Sequence, residues 1–260
     1  MARFRLDLEY AGTRYSGWQV QKNARTVQGE IGRAVIEVLE TEDFELYGSG
    51  RTDAGVHAAH QVAHLDVRTT VAPDALRLRL NDTLPADINL LAVAKVPHRF
   101  HARHDAVARV YLYQVARRRT ALAKPFVWWV KDRLDARAMA RAAEPLVGKH
   151  DFRSFSDQDP AKASTLVQLE HVEVGEDGDL VLVRVAGSHF IWKMVRRLVG
   201  VLVEAGRGNM TAADVERLLR ERSDVPARLT APPSGLFLER VVYEGETFDR
   251  PLTAIVPVGP

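Results

Sequence analysis

Residues 44–67 read FELYGSGRTDAGVHAAHQVAHLDV. A short segment, Phe44 to Tyr47, enters a loop with glycines at 48, 50 and 55, and Gln61 to Val67 then alternates with the period of two of a half-buried strand. Upstream, Phe4, Leu6, Leu8 and Tyr10 alternate with Arg3, Arg5, Asp7 and Glu9, which predicts another strand, and AGTRYSG at 11–17 breaks it. Between the two, Val27, Ile31, Ala34, Val35, Val38 and Leu39 fall at helical spacing behind Thr26, a residue suited to the N-cap. Downstream, Pro73 opens a short helix to about Asn81, and Ile88 to Val96 reads as a strand.

The second half continues in the same style. Val107 to Ala116 predicts a strand and Ala136 to Leu146 a helix, while Val167 to Val174 and Leu180 to Val185 form a hairpin across GEDGD at 175–179. Helices follow from about His189 to Ala205 and from Ala212 to Arg222, then a strand from Phe237 to Tyr243. Strands of this kind interleaved with helices predict an α+β fold, a mostly antiparallel sheet with flanking helices. The expected organisation is two comparable halves, 1–104 and 105–260, packed as one continuous unit.

Composition excludes several chemistries. Without a cysteine there is no disulfide framework, thiolate zinc site, iron–sulfur ligation or thiol catalysis. MARFRLDLEY has neither the apolar core of a signal peptide nor the uncharged run of a membrane helix, so a soluble cytoplasmic protein is expected. Against 36 Lys and Arg stand 34 Asp and Glu, and the net charge of +2 says little about nucleic acid. The distribution says more: Arg99, Arg103, Arg109, Arg117, Arg118, Arg119, Lys124, Lys131 and Arg133 crowd the middle, with Lys193, Arg196, Arg197 and Arg207 later. Guanidinium groups grip phosphates and stack on bases, so this Arg-rich set points to RNA; a solvated charged face explains it equally well.

In the glycine-rich loop, Asp53 follows Arg51 by two residues, and a nearby cation favours an ionised, nucleophilic carboxylate. A turn carboxylate capping a local N–H would look the same. The loop lacks both the GK[ST] ending of a P-loop and the GxGxxG of a dinucleotide site. In RVYLYQV, Tyr111 and Tyr113 share one face of a strand, which places Tyr111 in a core or under a ligand. On the later helix, Ile191, Met194, Val195, Leu198 and Leu202 make a core stripe, Lys193, Arg197 and Glu204 the wet face, and Arg196 the border between them.

GSGRTDAGVHA at 48–58 resembles the signature of the tRNA pseudouridine synthase A family. Further similar segments occur in the family's order: YAGTRYSGWQVQ at 10–21, TVQGE at 26–30, LPADI at 84–88 and FHARHDAVARVYLY at 100–113. GKHDFRSF at 148–155, GSHFIWKMVRRLVG at 187–200 and APPSGLFL at 231–238 complete them. The resemblance implies a pseudouridine synthase fold with a central RNA-binding cleft, and conversion of uridine to pseudouridine without a cofactor or metal. It makes Asp53 the nucleophile, at either sugar C1′ or base C6. Arg51 is the residue that takes the space of the displaced base, Tyr111 stacks on the uracil, Arg196 pairs with Asp53, and Leu236 lines the uracil pocket. It also implies a homodimer that carries tRNA across both subunits, with targets at tRNA positions 38 to 40. Arg14, Arg109, Lys193 and Arg207 are the expected phosphate contacts.

Three positions depart from the family pattern: Ala11 for a usual Asp, His104 for an aromatic residue, and Arg197 for a usual Asn. They bear on RNA contact and loop packing rather than on the nucleophile. Two rival readings remain. His57, His60 and His64, with His98, His101 and His104, have metal-like spacings but lack an HExxH glutamate. A non-catalytic RNA-binding protein is the other, against which the intact set Asp53, Arg51, Tyr111 and Arg196 argues.

Overall fold

The alternating start of the chain forms β1 (Ala2–Tyr10) in the computed structural model, which describes residues 1–159 and 163–259. Phe4, Leu6, Leu8 and Tyr10 are buried, and the residues between them keep part of their surface. α1 (Val27–Leu39) starts where the Thr26 hydroxyl accepts a hydrogen bond from the Gly29 N–H at 3.2 Å, and it buries Val27, Ile31, Ala34 and Val35. Then come β2 (Phe44–Gly48), β3 (His57–Val67), α2 (Pro73–Thr83) and β4 (Ile88–Val96). β1 lies between β3 and β4, antiparallel to both, and β2 pairs antiparallel with β3. α2 packs on α1 and on β4.

β3 is more enclosed than its alternation predicts, because every residue from Gln61 to Val67 is buried. Its polar positions are satisfied internally instead of facing water. Gln61 accepts from the Ser49 hydroxyl at 2.6 Å and donates to the Gly50 carbonyl at 3.1 Å. His64 Nδ1 accepts from the Ala102 N–H at 3.1 Å, and Asp66 pairs with Arg3.

The chain divides into two compact units, residues 1–107 with 237–247 and residues 108–236 with 248–260. In the second, β5 (Ala106–Ala116), β6 (Trp128–Trp129), α3 (Ala136–Ala143), β7 (Gly148–Asp151), β8 (Leu166–Asp177) and β9 (Leu180–Gly187) precede α4 (Met194–Gly206) and α5 (Ala212–Arg220). The sheet runs β5-β9-β8-β7 with antiparallel neighbours, and β6 pairs parallel with the end of β5. The β8–β9 hairpin extends past its predicted limits, leaving Gly178 and Asp179 as the turn; Gly178 has φ 56° at the position a two-residue hairpin loop favours for glycine. α3 stops at Ala143 and the predicted helix finishes as a 3₁₀ turn, Glu144–Leu146, around Pro145, which has no N–H to donate. β10 (Leu236–Tyr243) runs parallel to β3 in the first unit, Phe237 opposite His57. The expected α+β class with mostly antiparallel sheet and flanking helices is the one observed.

α4 departs most from its sequence pattern. It begins at Met194 rather than near His189, because Lys193 takes a left-handed conformation with φ 62° that a helix cannot continue through. Arg197, expected on a wet face, is only 4% exposed. Val199, Val201 and Val203 are buried too, so this helix is covered nearly all round. Arg197 reaches Asp157, which also accepts from Lys193 at 2.7 Å. The Lys193 hydrogen bond, and after it that of Arg197, hold the Asp157 carboxyl below its ordinary value of 3.8 against the opposing effect of burial. A folded-state pKa below the unfolded one means stability present above the unfolded value and lost as pH falls through the folded one. The urea midpoint of Asp157→Asn is therefore expected to lie below that of wild type at pH 6, the gap narrowing as pH falls below 3.8 and the carboxylate takes up its proton.

Candidate active site

The Asp53 loop is held mostly through backbone. Thr52 is buried, Asp53 half-buried and Arg51 exposed. The Val56 N–H donates to the Asp53 carbonyl at 3.1 Å, closing a turn in which Gly55 has φ 79°. Residues 10–18 strap this turn: the Trp18 N–H donates to the Thr52 carbonyl at 3.1 Å, the Gly55 N–H to the Tyr15 carbonyl at 3.2 Å, and the Tyr10 hydroxyl lies 2.9 Å from that of Thr52. Gly17, with φ 89°, lies flat against the loop; a Cβ there would stand 2.5 Å from the Thr52 carbonyl oxygen and 3.2 Å from the Asp53 carbonyl carbon. The strap is tied to the start of α1, where the Val27 N–H donates to the Gly17 carbonyl and the Gln28 N–H to that of Trp18.

Asp87 of LPADI completes the assembly. Its carboxylate accepts from the Tyr15 hydroxyl and its carbonyl accepts from the Ala11 N–H at 2.9 Å. Burial first, then Asp87, push the Tyr15 phenol pKa up, so Tyr15 is a neutral prop. Segment 10–21 thus joins 48–58 on one side to 84–88 on the other, although the three are far apart in sequence. The main chain on either side of Asp53 is thereby fixed, as a loop that carries a reacting group needs.

The second unit brings several other candidates together. Tyr111 and Tyr113 lie on β5, both buried; Tyr111 meets Phe190 edge-on at 4.9 Å, and the Tyr113 hydroxyl donates to the Pro232 carbonyl at 2.7 Å. Arg196 Nε donates to the Ala231 carbonyl at 2.7 Å while the Ala231 N–H returns a bond to the Arg196 carbonyl at 3.0 Å. Burial raises the Tyr113 pKa well above its ordinary value, and the charge of Arg196 opposes the rise. Gly235 packs on the Tyr113 ring, and buried Leu236 follows it into β10. Arg196, Tyr113 and segment 231–236 therefore form one cluster, with Tyr111 two residues along the strand.

The expected phosphate contacts are scattered. Arg14 is exposed on the first unit. Arg109 donates to the Ser188 carbonyl at 3.0 Å, Lys193 to Asp157, and Arg207 to Asp132 at 2.8 Å as well as to Glu204. The ion pairs of Lys193 and Arg207, being part-exposed, are worth only about 0–1 kcal/mol each.

The histidines serve the fold. Nδ1 of His57 accepts from the Gly12 N–H at 3.0 Å, and Nδ1 of His101 accepts from the N–H groups of Arg103 and His104 at 3.1 and 3.3 Å. Among the described residues, no group of three or more His, Cys, Asp or Glu side chains is arranged to hold a metal ion, and no helix is long and apolar enough to cross a membrane. Sequence reasoning missed Gly12, Gly17, Tyr15 and Asp87 as parts of the site. Their signal was present: two glycines and two large aromatic residues packed into 12–18 mark close backbone approach as well as a strand break.

The family model described as tRNA pseudouridine synthase matches residues 8–105 and 142–244. A tRNA pseudouridine synthase A of Mesorhizobium japonicum is 42% identical over 248 residues, covering 94% of this chain and 100% of the relative. The enzyme of the same name from Rhodopseudomonas palustris (strain BisA53) is 41% identical over 247 residues, again 94% and 100%. Among solved structures, the archaeal box H/ACA sRNP Nop10–Cbf5 complex aligns at a TM-score of 0.36 with 14% identity, over 89% of this chain and 60% of that one, too loosely to add to the argument. The matched residues include the Asp53 loop, its strap and the segments carrying Arg196 and Leu236, and on them this chain belongs to the tRNA pseudouridine synthase family.

Proposed function

We propose that this protein isomerises uridine to pseudouridine in the tRNA anticodon stem-loop, at positions 38 to 40, with Asp53 as nucleophile and no cofactor. The observation that carries the reading is the Asp53 loop itself, a half-buried carboxylate in a turn that residues 10–18 strap through their backbone, in a chain of this family. Asp53 forms a bond to sugar C1′ or to base C6, and the N1–C1′ bond breaks. The uracil turns, C5 bonds to C1′, and the carboxylate is released. C5 loses its proton and N1 gains one, so the reaction needs no oxidant or reductant.

In this scheme Arg51 fills the space left by the displaced base, a flip that costs a few kcal/mol. Tyr111 stacks on the uracil and its phenol assists removal of the C5 proton, Leu236 lines the base pocket, and Arg196 is the cation that keeps the nucleophile charged. Arg14, Arg109, Lys193 and Arg207 contact phosphates, and the enzyme acts as a cytoplasmic homodimer. Purified protein incubated with tRNA tritiated at uridine C5 should release tritium, with pseudouridine confined to positions 38 to 40. Tight tRNA binding with no release would replace this reading by the non-catalytic RNA-binding one. The affinity should also fall steeply with salt, in proportion to the phosphates engaged.

A further inference from the structure

A cavity of about 300 Å³ opens in the first unit beside Arg51. Its lining residues include Tyr47, His101 and His104, two arginines, Arg51 and Arg103, and Gln19. Gly50 borders it, and a Cβ there would meet nothing within 4 Å. The rings form a connected set. Tyr47 stacks on His64 at 5.3 Å between centroids, His64 meets His101 at 4.7 Å, and His101 lies 4.2 Å from His104.

The histidine rings behind and beside Tyr47 are uncharged. Burial, followed by the charges of Arg3 and His101, pushes the His64 pKa down to about 4, and burial, then His104 and Arg3, lowers that of His101. His64 and His101 are therefore neutral rings at pH 7. Asp105 accepts from the His101 N–H at 2.8 Å, and His101 Nδ1 accepts from the two N–H groups that follow it, so residues 101–105 are tied in place. Tyr47 nevertheless remains 48% exposed. A buried histidine thus backs an aromatic face that is still open to a ligand.

Aromatic faces beside guanidinium groups recognise a nucleotide, the base by stacking and the phosphate by charge. The volume is at the small end of ligand sites, roughly 300–1000 Å³, which suits one unpaired nucleotide and excludes a duplex. Arg51 links this cavity to the loop of Asp53, two residues on. We propose that the cavity takes one further unpaired nucleotide of the same RNA, near the target uridine in sequence, with its base on Tyr47 and its phosphate on Arg103. The inference rests on the RNA-modifying reading above and adds a second nucleotide to it.

The test uses the full-length protein and anticodon stem-loop RNAs. Tyr47→Ala is expected to raise KM and the dissociation constant about tenfold, within the range of one base stacked on an aromatic ring, with kcat changed less than about twofold. Tyr47→Phe, which keeps the ring, should match wild type. Abasic substitution of the nucleotides flanking the target, one at a time, should cost wild type about tenfold at one position and cost Tyr47→Ala nothing more there. His104→Ala, checked with Tyr47→Ala for an unchanged thermal midpoint, provides a second variant with the same expected pattern. Unchanged affinity in both variants, or equal abasic penalties in wild type and variants, overturns the proposal; equal penalties are also what occupation by a free nucleotide predicts. A wild type that modifies no tRNA would count against the isomerase reading alone, because the dissociation constants still report on the cavity.

Discussion

Asp53→Ala is expected to bind tRNA within about threefold of wild type and to lose at least about 10⁴-fold in tritium release, the scale of removing a covalent nucleophile. The contacts that shape the loop use its main chain: the Val56 N–H on the Asp53 carbonyl, the Trp18 N–H on the Thr52 carbonyl, and Gly17 flat against both residues. Removing the carboxylate leaves these main-chain contacts in place, and an unchanged thermal midpoint of the variant checks that the loss is one of chemistry rather than of folding. Asp53→Asn is the stricter version, with nearly the same shape and no charge. Single-turnover release above about 1% of wild type by the Asn variant would end the nucleophile assignment, since a neutral amide cannot replace an anionic oxygen at that rate.

Gly17→Ala carries the second large effect, on stability and rate together. A left-handed residue with a Cβ costs about 1–2 kcal/mol, and the φ of Gly17 is 89°. The added carbon would also stand 2.5 Å from the Thr52 carbonyl oxygen, an overpacking worth about 1–3 kcal/mol against backbone that cannot rotate away. A total of about 3 kcal/mol should lower the thermal midpoint by about 8 °C in a chain of this size. The loop that yields is the one carrying Asp53, and a displacement near 1 Å at a reacting group costs about 100-fold. The expected result is a folded protein with kcat reduced on that scale. Gly50→Ala is the contrasting case, since its Cβ meets nothing within 4 Å, and its midpoint should stay at or slightly above wild type. A Gly17→Ala enzyme that loses stability but keeps wild-type kcat would mean that the strap does not position Asp53.

Much of the secondary structure was legible in local pattern. α1 runs from Val27 to Leu39, as its apolar spacing and the Thr26 cap predict, and β4 occupies Ile88–Val96 as predicted. Where local pattern failed, a distant partner had intervened. Arg197 has polar chemistry and falls at a wet position on a helical wheel, yet it is buried because Asp157, 40 residues earlier, reaches it. Lys193 and Arg207 read as open cations, but their partners Asp157 and Asp132 lie 36 and 75 residues away. The polar residues of β3 mark alternation correctly and exposure wrongly, since strands on both sides and buried hydrogen bonds take the place of water.

The sequence by itself determined the order and type of the elements, the α+β class, and, through the long match of GSGRTDAGVHA and its companion segments, the family and the residue to suspect. These follow from interactions within a helical turn or a strand pair and from residue types that only certain chemistry requires. Tertiary structure alone decided how Asp53 is held. Gly12, Gly17 and Tyr15 look like a strand break until folding lays their backbone on residues 52–57, and Asp87 becomes part of the site only by accepting the Tyr15 hydroxyl. The physical reason is one of range: propensity and capping act between near neighbours, whereas close backbone approach and carboxylate placement depend on segments that only the folded chain brings together.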